Sequence, residues 1–225
     1  MQIYVDSANL DDIKHAASLG ILSGVTTNPS LLAKEDPSVD VRERILEIHR
    51  IVGGHCSVEV VSTDKDGMLR EADEILEWFP QATIKIPMIA AGLAATSELA
   101  KRNVPVNMTL IFSATQALAA NNAGAAYVSV FLGRLDDIAA PGIDVIRDTR
   151  EIWEKQGLDS KILAASLRHP LHLLQVAKAG AHIATTPYKV IIQSLQHPLT
   201  DAGLDKFLAD YNKMQAEIAE LRKQA

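Results

Sequence analysis

Apolar and polar positions along the chain fall into two alternating patterns. Short runs rich in Val, Ile and Ala read as strands over residues 2–6, 24–27, 56–61, 82–86, 105–110, 126–131, 161–165 and 182–186. Between them, apolar residues recur every three or four positions over residues 10–18, 39–52, 64–79, 91–101, 114–122, 144–156 and 171–179, the spacing of an amphipathic helix. Strands alternating with helices imply βαβ units around a parallel sheet. Eight such strands make the expected fold class α/β: a single (β/α)8 TIM barrel, favoured over an open doubly wound sheet. No long Gly, Ser or Pro linker interrupts the pattern, so residues 1–225 read as one domain.

Helix punctuation agrees with this reading. Thr63 precedes Asp-Lys-Asp and is the expected N-cap of the helix there. Gly20, Gly124 and Gly180 each follow a periodic stretch, where helix-ending glycines sit. The last segment differs in kind: residues 201–224 predict one long, polar, extra C-terminal helix. Along it Leu204, Phe207 or Leu208, Tyr211, Met214, Ile218 and Leu221 form a stripe. A stripe gives a seam but not its partner. Two readings stand: a helix on its own barrel, or an arm on a neighbouring subunit.

Composition narrows the function classes. Aromatic residues are only 4% of the chain, so the core must be Ala, Val, Ile and Leu laid closely on a parallel sheet. The net charge of −6 and the absence of a basic run argue against a nucleic-acid partner. A single cysteine, Cys56, excludes a disulfide framework and reads as an inert core thiol. The N-terminus lacks a basic and apolar leader, and no apolar run is long enough for a membrane span, so a cytoplasmic location is expected. The seven histidines show no metal-ligand spacing, and the glycines form no nucleotide-binding pattern.

Strand parity then exposes an anomaly. Side chains alternate between the two faces of a strand. One face carries Val5, Val58, Val60, Ile84, Ile86, Val106, Met108, Val128 and Val130. The other collects Asp6, Glu59, Lys85, Asn107, Thr109 and Ser129, mostly near the C-terminal strand ends, where barrels build their active sites. Charges buried without partners cost several kcal/mol or more. The plainer reading is an ion-pair cluster that only holds the barrel, but such clusters are often no better for stability than apolar packing. A desolvated lysine, by contrast, attacks carbonyls to form a Schiff base. Glu59 and Asp6 can move protons for that chemistry, Thr109 can hold a water, and Asn107 and Asn28 can orient substrate hydroxyls. Arg134, Ser166 and Arg168 lie in or after the late strands, where barrels commonly grip phosphate. Asp136 or Asp137 is an alternative partner for either arginine. His169 reads as a plain loop histidine.

These residues sit in Val5-Asp-Ser-Ala-Asn9, Gly24-Val-Thr-Thr-Asn-Pro-Ser30, Val58-Glu-Val60, Ile84-Lys-Ile-Pro-Met88, Asn107-Met-Thr109, Ser129-Val-Phe-Leu-Gly-Arg134 and Ala164-Ala-Ser-Leu-Arg168. With these motifs in this order, nearly the whole chain resembles the transaldolase family, in its short single-barrel branch that includes fructose-6-phosphate aldolases. The resemblance implies that Lys85 is the Schiff-base lysine, that Asp6 handles protons during carbon–carbon cleavage, and that Glu59 and Thr109 position a catalytic water. It implies that Asn28, Asn107, Ser129 and Phe131 surround a dihydroxyacetone unit, and that Arg134, Ser166 and Arg168 hold phosphate. No metal and no cofactor is implied; the implied partners are small-molecule sugar phosphates and further copies of the chain, as a decamer or pentamer.

Two positions bear on subtype. Relatives acting as fructose-6-phosphate aldolases carry tyrosine at the position of Phe131 and glutamine at that of Glu59, so this chain resembles the transaldolases. Val130 and Ser7 depart from the family's usual proline and threonine. The expected activity is transfer of dihydroxyacetone between ketose and aldose phosphates, in the pentose phosphate pathway. The alternatives are a fructose-6-phosphate aldolase and a non-catalytic sugar-phosphate-binding barrel.

Overall fold

A computed structural model of the protein describes residues 1–36 and 38–223. Valine and isoleucine on alternate positions favour pleated strands that bury one face against helices. The strands are β1 (Gln2–Asp6), β2 (Leu22–Thr26), β3 (His55–Glu59), β4 (Thr83–Pro87), β5 (Val106–Ile111), β6 (Tyr127–Phe131), β7 (Lys161–Ala165) and β8 (Ile183–Thr186). They close in sequence order into an eight-stranded barrel, and β8 pairs in parallel with β1. The expected TIM barrel is therefore the observed architecture.

The helices up to Leu195 are α1 (Leu10–Ser18), α2 (Pro29–Leu32), α3 (Val41–Val52), α4 (Lys65–Trp78), α5 (Ala90–Lys101), α6 (Ala114–Asn122), α7 (Leu132–Asp136), α8 (Gly142–Gln156), α9 (Pro170–Lys178) and α10 (Tyr188–Leu195). Three of them, α2, α7 and α10, had no counterpart in the periodic segments. The first two are only four and five residues long, too short for a 3.6-residue period to declare itself. The cap of α4 is Asp64, whose carboxylate accepts from Gly67 N, and not Thr63. Gly20, Gly124 and Gly180 adopt φ of 70°, 92° and 83°, the left-handed geometry of helix ends.

Two apolar layers result. Between strands and helices, Val5, Val25, Val58, Ile84, Met108 and Val128 pack with Ile13, Ile45, Met68, Leu99 and Ile146. Inside the barrel, Tyr4, Leu163, Ala165 and Ile183 form a separate small cluster with Tyr127 and Phe131 against it. Gly24 makes room for that inner cluster: a Cβ there would stand 2.8 Å from the Tyr4 ring and 2.9 Å from His55 O.

The chain divides into two compact units, Met1–Ile191 and the stretch from Ile192 onward. The second carries α11 (Pro198–Lys223), which begins three residues earlier than expected; Gln224, the last residue of the expected helix, lies outside the described residues. Along α11, Leu204, Phe207, Leu208, Tyr211, Met214 and Leu221 are all exposed. Among the described residues, no helix is long and apolar enough to cross a membrane.

Candidate active site

Strands β1, β3 and β4 bring the charges together. Glu59 ends β3 and Lys85 sits mid-β4, and the two are register partners. Lys85 Nζ lies 2.9 Å from Glu59 Oε2 and donates to Thr27 O at 2.9 Å. Lys85 is only 4% exposed, so its ammonium depends on these two oxygens. Asp6, the last residue of β1, accepts from Thr26 Oγ1 at 2.7 Å, and Thr26 Oγ1 lies 2.6 Å from Thr185 Oγ1. Since Thr26 gives its proton to Asp6, Thr185 donates to Thr26. Burial pushes the Asp6 carboxyl above the usual aspartate range, against the opposing pull of Lys85 and the Thr26 hydrogen bond. A carboxylate so placed is a stronger base than one in water.

On the β5–β6 side, Asn107 and Ser129 are buried, and Ser129 Oγ donates to Asn107 Oδ1 at 2.7 Å. Thr109 is buried, and its Oγ1 has no hydrogen-bond partner among the described residues. Asn28 caps α2 through Oδ1, which accepts from Leu31 N at 2.9 Å. The cap leaves the two Nδ2 donors for a ligand.

The late strands supply cations. Arg134, on α7, places its guanidinium 5.1 Å from the centre of the Phe131 ring, a cation–π contact that orients it. Arg168 pairs with Asp137 at 2.7 Å, so of the two alternative acids it is Asp137 that engages an arginine. The Arg168 backbone N–H donates to His172 Nδ1 at 3.2 Å, and His172 Nε2 meets Asp136 Oδ2 at 3.0 Å. His169, the expected plain loop histidine, caps α9 by accepting from His172 N. Ser166 has φ of 61°, a conformation a side-chain-bearing residue rarely holds without reason. Gly133 permits the tight approach there, since a Cβ would stand 1.9 Å from Ser166 O.

Asp6, Asn28, Lys85, Ser129, Phe131, Arg134, Ser166 and Arg168 all line one pocket of about 290 Å³. Thr26, Ser30, Lys34 and Thr185 line it too, and the sequence reading did not single these out. Thr26 and Thr185 share the inward parity of their strands, and that signal was available. Glu59 instead borders a larger, mainly apolar cavity of about 640 Å³ beside Ile45, Ile75 and Trp78. Size does not locate the chemistry: the smaller pocket holds the convergent charges. Asn107 reaches it through Ser129, and Thr109 is not on its wall. Cys56 is buried, and burial pushes its thiol up to about 12, so it stays unreactive. Among the described residues, no group of three His, Cys, Asp or Glu side chains is placed to hold a metal ion.

Comparison with known proteins gives one consistent result. Residues 3–224 match the family described as transaldolase/fructose-6-phosphate aldolase. A protein of Geobacillus thermodenitrificans (strain NG80-2), named probable transaldolase, is 51% identical over 215 residues, covering 96% of this chain and 100% of the relative. Probable transaldolases of Heliobacterium modesticaldum (strain ATCC 51547 / Ice1) and Clostridium botulinum (strain Eklund 17B / Type B) are 52% and 53% identical, covering 96% and 95% of this chain and 99% of each relative.

Proposed function

The chain belongs to the transaldolase/fructose-6-phosphate aldolase family, and on that premise we propose that it is a transaldolase working through a Schiff base on Lys85. The observation that carries this is the Lys85–Glu59 contact of 2.9 Å inside a barrel, with Asp6 and two arginines lining the same pocket as the lysine. Binding alone needs no buried lysine.

Lys85 passes a proton to Glu59, and the free amine attacks the ketone carbon of a ketose phosphate. The carbinolamine loses water to give an iminium ion; Glu59 and Thr109 position the water that leaves and later returns. Asp6 takes the proton of the hydroxyl two carbons from the iminium carbon. The bond joining that hydroxyl-bearing carbon to the carbon next to the iminium carbon breaks, an aldose phosphate leaves, and the bonding electrons form an enamine on Lys85. The enamine attacks an acceptor aldehyde, Asp6 returns the proton, and water releases the new ketose. Asn28, Asn107 and Ser129 hold the three-carbon unit. Arg134, Ser166 and Arg168 hold the phosphate. Phe131 offers no hydroxyl to pass water to the enamine, which favours waiting for an aldehyde over release.

The physiological exchange in this reading joins sedoheptulose 7-phosphate and glyceraldehyde 3-phosphate to erythrose 4-phosphate and fructose 6-phosphate, in the cytoplasm, within the pentose phosphate pathway. Borohydride added with fructose 6-phosphate should fix a three-carbon adduct on Lys85. A folded Lys85→Met variant should form none and turn nothing over; an adduct elsewhere, or retained activity, would sink the mechanism. The exposed stripe of α11 supports a further reading, that the protein is a homo-oligomer joined through that helix. Phe207→Glu with Tyr211→Glu should lower the mass in solution, and an unchanged mass would refute it.

A further inference from the structure

A chain of polar side chains crosses the barrel interior beneath the pocket. It begins at His55, the first residue of β3. His55 Nε2 lies 2.7 Å from Ser57 Oγ. Asn107 Nδ2 donates to Ser57 Oγ at 3.0 Å, and Ser129 Oγ donates to Asn107 Oδ1 at 2.7 Å. Ser129 is on the pocket wall; Ser57 and Asn107 are fully buried. At the far end, His55 Nδ1 is 3.4 Å from Thr83 Oγ1. The imidazole is stacked on Tyr4 at 5.0 Å and meets the edge of Tyr127 at 4.5 Å, so its plane is fixed.

Donor counting leaves this chain two directions. A serine hydroxyl has one proton to give. In one direction Ser57, accepting from Asn107, gives its own proton to His55 Nε2, and the imidazole then carries its hydrogen on Nδ1, toward Thr83. The opposite direction is equally connected: His55 Nε2–H would donate to Ser57, Ser57 to the Asn107 oxygen, and the Asn107 amide to Ser129. The tautomer of His55 and the facing of the Asn107 carboxamide are thus one choice. The choice decides what Ser129 shows the pocket. With the Asn107 oxygen facing Ser129, the Ser129 proton is spent on Asn107, and its lone pairs face the pocket.

We propose that His55 is a positioning residue: by accepting the Ser57 proton it keeps the Asn107 oxygen toward Ser129, so that Ser129 receives a hydroxyl proton from the bound ketone. The proposal rests on the Schiff-base reading of the pocket. A neutral imidazole is required, and burial pushes the pKa of His55 down to about 4.

The test compares dihydroxyacetone with hydroxyacetone, which lacks one hydroxyl, by the rate of borohydride-fixed adduct on Lys85. The wild type should prefer dihydroxyacetone by about five- to tenfold, the worth of one hydrogen bond. His55→Phe keeps the ring stack but accepts nothing, and the preference should fall toward one. Its KM for fructose 6-phosphate should rise by a similar factor with kcat little changed. His55→Gln, whose side-chain oxygen can accept from Ser57, should restore the preference. Ser57→Ala cuts the chain without disturbing the aromatic stack and should also abolish it. An unchanged preference in folded His55→Phe, or in Ser57→Ala should His55→Phe not fold, overturns the proposal. So does a wild type that shows no preference. A wild type that forms no adduct with either ketone overturns the Schiff-base reading itself.

Discussion

Strand β3 begins at His55 and ends at Glu59, and these two residues stand at opposite ends of the barrel interior. Both are ionisable and both are largely removed from water. At the N-terminal end, His55 is enclosed by Tyr4 and Tyr127, and burial, which pushes its pKa down to about 4, leaves it neutral. At the C-terminal end, Glu59 meets Lys85 at 2.9 Å, and the buried charges are held as a pair. The difference teaches how one strand serves two purposes. Polar groups at the lower end close on one another, whereas those at the upper end are arranged around a pocket. Burial alone makes an inert floor; burial with a nearby opposite charge makes a reactive mouth.

The contrast can be broken at the mouth first. Asp6→Asn should lower kcat by on the order of 10²- to 10⁴-fold, the usual worth of a positioned acid–base group. It should also separate activity from stability. The folded-state pKa of Asp6 lies above its unfolded value, so the fold disfavours the ionised form. The resulting stability is full below the unfolded pKa and is lost as pH rises through the folded one. Asp6→Asn should therefore melt above the wild type at pH 8, and the gap should close as pH falls through the raised folded-state pKa to the ordinary aspartate range. A lower melting temperature at pH 8 would mean that Asp6 is held mainly by Lys85 and Thr26.

At the floor the signs reverse. Leu163→Ala removes a fully buried side chain from the inner cluster and should cost about 2–5 kcal/mol in urea unfolding. Adduct formation at Lys85 should persist at temperatures where the variant remains folded. If the adduct is lost while the fold survives, floor and mouth are not separable. A smaller effect tests the proposed phosphate end. Arg168→Ala should raise KM for phosphorylated ketoses about tenfold to a hundredfold, as expected for one charge-assisted hydrogen bond, and leave dihydroxyacetone unaffected. An equal loss with both substrates would assign Arg168 to the shape of the loop, through its Asp137 pair.

Much of this was legible beforehand. Val58 and Val60 flanking Glu59, and Ile84 and Ile86 flanking Lys85, reveal by parity alone that charges point into the barrel. The glycines at 20, 124 and 180 mark helix ends because no other residue adopts their backbone so readily. What escaped has equally physical causes. His55 was missed because the third strand was expected to start at Cys56, one residue late, which leaves the histidine in a loop. Thr26 and Thr185 are ordinary strand residues in sequence, and only closure of the barrel brings them together beside Asp6. Lys34 lies beyond a four-residue helix that no periodicity announces, and only folding shows it on the pocket wall. Local pattern fixes which face a side chain takes; long-range closure fixes what it meets there.

The most direct measurement is glyceraldehyde 3-phosphate release from fructose 6-phosphate at high enzyme concentration, with and without erythrose 4-phosphate. A transaldolase holding its three-carbon unit on Lys85 should give a burst of about one product per site, and sustained turnover only once the acceptor is added. Steady release without acceptor would contradict this account and make the protein an aldolase, with Phe131 and Glu59 misread.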